Sequence, residues 1–173
     1  MGRVRHPDPA LLFIGTLYSD KGVAPEAQTL LEKNFGEILL ISPATLWDYS
    51  AYYKDEIGSP LVRQFHFFKT LIDPGLLADI KLKTNDIEDM LSLEGKRRIN
   101  LDPGYLTLSN IVLASTKNYS HRIYLGKGIF GEVTLIYKGE TYHPHLFTYR
   151  DYQDKTSIEL FLNAREMLKK MSH

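Results

Sequence analysis

Between residues 10 and 101 the hydrophobic pattern switches period four times, in the order strand, helix, strand, strand, helix, strand. Few small folds accommodate that order. Ala10 to Tyr18 is a nine-residue, almost wholly apolar run that suits a buried strand. Pro25 then opens a helix with Ala27, Leu30, Leu31 and Phe35 on one face, and Gly36 stands at its C-terminal cap. Glu37 to Ser42 is a second strand stopped by Pro43, and Leu61 to Lys69 a third, with Phe65 and Phe67 on one side and His66 and Phe68 on the other. Asp73-Pro74 marks the start of a second helix, continued by Leu76, Leu77, Ile80, Ile87, Met90 and Leu91 and ended by Gly95. Arg97 to Leu101 is a fourth strand. The order predicts an α+β fold of the ferredoxin-like, split βαβ kind: an antiparallel sheet with helices on one face.

The rest extends that core. Residues 43–60, with the single Trp, three Tyr and three acids, lack a period and read as a loop packed over the core or a ligand lid. Asp102-Pro103-Gly104 reads as a turn at the strand end. Thr107 to Thr116 fits a short helix capped by Thr107 or a strand. His121 to Leu125 and Glu132 to Lys138 make a C-terminal β-hairpin. A final helix begins near Thr156, with Glu159 at capping-box spacing and Ile158, Phe161, Ala164, Leu168 and Met171 on one stripe. The chain therefore reads as one domain over 1–173: a surface arm (1–9), the split βαβ core (10–102), a segment with site candidates and hairpin (103–138), and a C-terminal extension with the helix (139–173).

Composition narrows the function. The 21 basic residues equal the 21 acidic ones, which argues against nucleic acid as a partner. Cysteine is absent, which removes disulfides, thiolate metal sites and a Cys nucleophile. No apolar run reaches the ~18–20 residues of a membrane helix. The run after Arg3 and Arg5 stops too soon for a signal peptide, so the expectation is a soluble, cytoplasmic protein with no membrane partner.

The loudest motif is Gly126-Lys127-Gly128-Ile129-Phe130-Gly131-Glu132-Val133, which matches the G-x-G-x-x-G-x-V loop of protein kinases. Only 40 residues follow Val133, and they hold no V-A-I-K, H-R-D or D-F-G. The residues after the third glycine are β-formers, not a helix start, and Lys127 is followed by Gly128, so the Rossmann and Walker readings fail too. A hairpin turn explains the glycines.

Quieter residues carry the chemistry. Lys117, His121 and Arg122 lie within six positions just before the hairpin, where Lys117 and Arg122 could hold a phosphate or carboxylate. His121 is the best acid–base candidate, with Asp102 to orient it or act as base. Tyr105 and Glu132 complete the expected ligand-binding set. His143 and His145, with Glu132 or Glu140, fall short of an assured metal site, so no metal is assigned and the cofactor is unknown. His66 reads as a hydrogen-bonded core histidine.

The strings LFIG at 12–15, DYSAYYKDEIGSPL at 48–61, IKLKTNDIE at 80–88 and RRINLDPGYLTLSNIVLASTKNYSHRIYLGKGIFGEVTLIY at 97–137 resemble the prokaryotic family catalogued as domain of unknown function 4416. The resemblance implies one compact domain and brings no activity, cofactor or site. Three readings follow from the residues. The first is an enzyme or sensor for a small anionic ligand, a phosphate ester or nucleotide. The second is a non-catalytic module that docks a partner or homodimerises through its sheet and Trp47, Tyr49, Tyr52 and Tyr53. The third, RNA binding through Arg97, Arg98, Lys117 and Arg122, is disfavoured by the neutral charge.

Overall fold

A computed structural model describes residues 2–171. Met1, at the head of the expected arm, and Ser172 and His173, at the end of the expected extension, lie outside the described residues. Among the described residues are a nine-stranded antiparallel sheet and five helices. The strands are β1 (Ala10–Tyr18), β2 (Ile38–Ile41), β3 (Thr45–Trp47), β4 (Leu61–Ile72), β5 (Ile99–Leu106), β6 (Asn110–Ser115), β7 (Ile123–Gly126), β8 (Ile129–Lys138) and β9 (Thr141–Pro144). The helices are α1 (Val23–Phe35), α2 (Lys54–Ile57), α3 (Leu77–Met90), α4 (Arg150–Gln153) and α5 (Lys155–Met171). The strand order is β2-β4-β1-β5-β6-β8-β7, with β3 also on β4 and β9 also on β8.

The central strand β1 is buried along its whole length because both faces of the sheet are covered. Its alternate residues serve different layers. Leu12 and Ile14 pack with Ala27 and Leu31 of α1 and Ile80 and Ile87 of α3. Leu11 and Phe13 face the other way, onto Phe161, Ala164 and Leu168 of α5. Phe13 and Phe161 meet edge-on at 5.1 Å between ring centroids. The expectation of helices on one face therefore holds for α1 and α3 only. The C-terminal amphipathic stripe supplies a second layer, because the odd-numbered side of β1 is as apolar as the even-numbered side.

Several local expectations are corrected by long-range contacts. Asp102-Pro103-Gly104 is no turn: β5 runs straight through it, with Asp102, Pro103 and Gly104 paired to Gly15, Ile14 and Phe13. Pro103 is accommodated because the ladder to β6 begins only at Gly104. A Cβ on Gly104 would lie 2.6 Å from both the Phe13 ring and the carbonyl oxygen of Val112, so close approach, not a turn, requires glycine there. Segment 43–60 is not structureless but contributes β3 and α2. In the ambiguous stretch the strand wins. Thr107 Oγ1 accepts from the N–H groups of Ser109 and Asn110 in the tight turn before β6. Asp73 caps a 3-10 turn, its carboxylate accepting from Gly75 N at 2.7 Å, and α3 follows it. α3 ends at Met90 rather than at Gly95, which turns the following loop at φ 74°. Thr156 lies inside the first turn of α5 rather than at its cap.

The glycine motif is a hairpin. Lys127 (φ 55°) and Gly128 (φ 79°) form the two-residue positive-φ link between β7 and β8 that such hairpins favour. Lys127 pairs with Asp79, and the two link residues Lys127 and Gly128 line neither cavity described below.

Candidate functional site

The sheet is split between β5 and β6. These strands pair at only three positions, Gly104↔Leu113, Tyr105↔Val112 and Leu106↔Ile111. Upstream, residues 99–103 of β5 pair with β1 alone, while Ala114 and Ser115 of β6 pair with β8 alone. An unpaired strand edge inside a protein leaves backbone groups that must find partners. Here α3 supplies them. Lys81 donates through Nζ to the carbonyl of Leu101 at 2.8 Å, and Glu88 accepts the Leu101 N–H.

The gap opens a cavity of about 860 Å³. It is closed on one side by α3 and on another by the aromatic segment that holds β3 and α2. That segment is tied down: Trp47 Nε1 donates to Asp151 at 3.1 Å, and Tyr49 donates to Asp154. Arg63, on the same side of β4 as Leu61 and Phe65, donates through Nε to Asp151 at 3.1 Å and through Nη1 to Asp102 at 3.2 Å. Burial alone would weaken its hold on the proton, but Asp151 and Asp102 more than offset this and Arg63 stays charged. Burial likewise pushes the Asp102 carboxyl up, and Arg63 and Lys81 outweigh it, so Asp102 sits below the usual range and is a carboxylate.

Asp102, Lys117, Arg122 and Glu132 all line this cavity. Arg122 is heavily engaged: Nε donates to Glu132 at 2.6 Å, Nη1 to Ser115 and to the Lys117 carbonyl at 2.9 Å, and Nη2 to Tyr149 at 2.7 Å. That leaves little of the fork for a ligand. Lys117 has no carboxylate partner among the described residues; its Nζ donates to the Tyr52 hydroxyl at 3.0 Å and lies 4.2 Å from that ring's centroid. Tyr152 also lines the cavity, is fully buried, and its hydroxyl has no hydrogen-bond partner among the described residues. Burial raises its phenol, and takes that of Tyr149 to about 12, so both are neutral donors.

His121 and Tyr105 lie elsewhere, lining a second cavity of about 330 Å³. Glu132 is the wall between the two, with His121 Nε2 donating to it at 2.9 Å from one side and Arg122 from the other. Asp102 and His121 thus do not share a cavity. His143 donates to the Lys138 carbonyl and His145 to that of Val133. Among the described residues, no three His, Cys, Asp or Glu side chains gather as a metal site. Of the other basic residues, Arg97 pairs with Glu56 and Glu88, and Arg98 with Asp20. Trp47 is buried, while Tyr49 and Tyr52 remain on the surface.

Sequence reasoning missed Arg63, Lys81, Glu88, Asp151 and Tyr152. Two signals were present. Arg63 interrupts the inward-facing series Leu61, Phe65, Phe67, and Lys81 and Glu88 stand two turns apart beside Ile80, Thr84 and Ile87 on the buried face of α3. A charge at an inward position implies a buried partner.

Among the described residues no helix is long and apolar enough to cross a membrane. No curated protein and no solved structure matches the chain. A family model does match, over residues 8–168, and the chain belongs to that family, described as Domain of unknown function (DUF4416).

Proposed function

We propose that the split between β5 and β6 binds a small ligand carrying a single anionic group, of the phosphate monoester class. The supporting observation is a set of donors along the 860 Å³ cavity: exposed Lys117, whose Nζ meets the Tyr52 hydroxyl but no carboxylate among the described residues, and two buried groups without a hydrogen-bond partner among them, the Tyr152 hydroxyl and Arg97 Nε. The two buried, unpartnered donors raise the free energy of the empty site and favour a ligand with oxygen acceptors, which Lys117 can meet with its charge. The volume falls within the ~300–1,000 Å³ of small-molecule pockets.

The lining carries five cationic and six carboxylate side chains. Recognition therefore rests on particular donors and not on net charge, and a polyphosphate would meet repulsion from Glu56, Glu88 and Asp102. Lys117 holds the anion, ionised Asp102 accepts a hydroxyl or amino hydrogen from the ligand, and the Tyr52 and Tyr53 rings border the space. Arg122 and Glu132 hold the wall. Residues 10–106 read as a ferredoxin-like unit, supported by the order β2-β4-β1-β5 and by α1 and α3 packing on one face.

The test is a thermal-shift titration with ribose 5-phosphate, AMP, ATP and inorganic phosphate. A saturable rise in Tm with a monoester, absent from Lys117→Met although that variant melts like the parent, supports the reading. A flat response to all four probes, or equal responses of Lys117→Met and the parent, overturns it.

A further inference from the structure

The second cavity lies on the far side of Glu132 and is of different character. Its lining is mainly apolar and includes Leu77, Val112, Ile123, Leu125 and Val133, and at about 330 Å³ it has room for a molecule of one or two rings. Its rim is unusually apolar for an exposed position. Ile123 on the edge strand β7 is 70% exposed, and Val133 is also exposed.

One polar group in it is unsatisfied. His121 is stacked on Phe147 at 4.3 Å with the planes 5° apart, and also lies near-parallel to Tyr119 at 6.2 Å. Its orientation is therefore fixed. A carboxylate only accepts, so the Glu132 contact at 2.9 Å places a hydrogen on Nε2. In the neutral ring Nδ1 is then a bare lone pair, and that atom is buried with no partner among the described residues. A buried acceptor beside an apolar cavity selects for one kind of occupant: apolar enough to fill the space and bearing a hydrogen to give.

We propose that this cavity is a binding site for a small, uncharged, mainly apolar molecule with one hydroxyl or N–H donor, and that His121 Nδ1 accepts that hydrogen. The site is separate from the cleft between β5 and β6 and shares only Glu132 with it. The proposal does not depend on what the larger cavity holds.

Phenol and toluene are the probes, being alike in shape and differing in the donor. Phenol is expected to saturate, moving the backbone amide resonances of Ile123, Leu125 and Val133. Because toluene leaves water more readily, the informative quantity is the ratio of the two affinities in the parent against that in His121→Phe, which keeps the stack and removes both nitrogens. That ratio is expected to change by about three- to tenfold against phenol, the worth of one hydrogen bond. In the unsubstituted protein the His121 Nδ1 nitrogen resonance should move with phenol and stay with toluene, a readout that stands even if His121→Phe does not fold. Failure of phenol to saturate, shifts confined to other parts of the chain, an unchanged ratio, or an Nδ1 resonance indifferent to phenol would each overturn the proposal.

Discussion

Lys81 and Glu88, two turns apart on α3, grip opposite ends of one peptide residue, the carbonyl and the N–H of Leu101. They do there what a neighbouring strand would do, and so allow β5 and β6 to part without leaving a raw edge. The cavity depends on this substitution. Were β6 to continue along β5 past Gly104, its own backbone would fill the gap, and Lys81 and Glu88 would lose the Leu101 groups they bind.

Burial raises the Glu88 carboxyl above its ordinary value, only partly countered by Lys81, the Leu101 N–H and Arg97. The folded state therefore holds the proton more tightly than the unfolded chain, and the stability this lends is lost as pH rises through the folded value. Gln at 88 still accepts from Leu101 but cannot ionise. Relative to Glu88→Gln, the parent is expected to lose stability as pH rises above the ordinary carboxylate range, read from urea midpoints at successive pH values. The opposite trend would mean that Lys81 and Arg97 outweigh burial.

Arg63 is the centre of a buried charge group with Asp151 and Asp102. Arg63→Met leaves the Asp151 carboxylate in a dry site with only the Trp47 indole, and is expected to cost about 3–5 kcal/mol. Adding Asp151→Asn should recover part of that loss, because a neutral amide needs no counter-charge. Urea denaturation of the two single variants and the double variant gives the coupling. Additive losses would show that the two side chains do not act as a pair.

How much of this was legible in the sequence depended on the range of the contact involved. β1 was readable to the residue because continuous apolarity has one meaning when both faces are covered. Asp102, Lys117, Arg122 and Glu132 line one cavity, whereas His121 and Tyr105, expected beside them, line the other, a division that the Glu132 wall makes and that no local spacing reveals. Asp102-Pro103-Gly104 has the chemistry of a turn, and no local rule reveals that Phe13 and Val112 will crowd Gly104. Arg63 meets Asp151 across 88 positions, and Trp47 meets it across 104. Such pairs exist only once the sheet and α4 are assembled.

Gly104 and Gly128 separate two reasons for glycine. At 104 any Cβ overlaps the Phe13 ring and a backbone carbonyl, so Gly104→Ala should cost about 1–3 kcal/mol. It should also speed amide exchange at Tyr105 and Leu113, where the split closes. At 128 the space is open and only φ is unusual, so Gly128→Asn, which tolerates that conformation, should cost well under ~1 kcal/mol. Equal losses from the two variants would refute the crowding account.

His66 lies in β4 between buried Phe65 and Phe67, with Nδ1 unpartnered. Burial holds its pKa down at about 4, against 6.5 for an ordinary histidine. The unfolded chain thus takes up a proton that the folded one refuses. Stability should be full above about pH 6.5 and fall as pH drops toward ~4, by about 3 kcal/mol in all. Glu88 changes stability in the opposite sense over part of the same range, so the parent's curve alone cannot isolate the histidine. The difference between the parent and His66→Leu does, because Leu at 66 keeps the carboxyl and removes the imidazole. That difference should narrow against the parent by about 3 kcal/mol between pH ~7.5 and ~4. A constant difference across the range would place the imidazole in contact with water and contradict its burial.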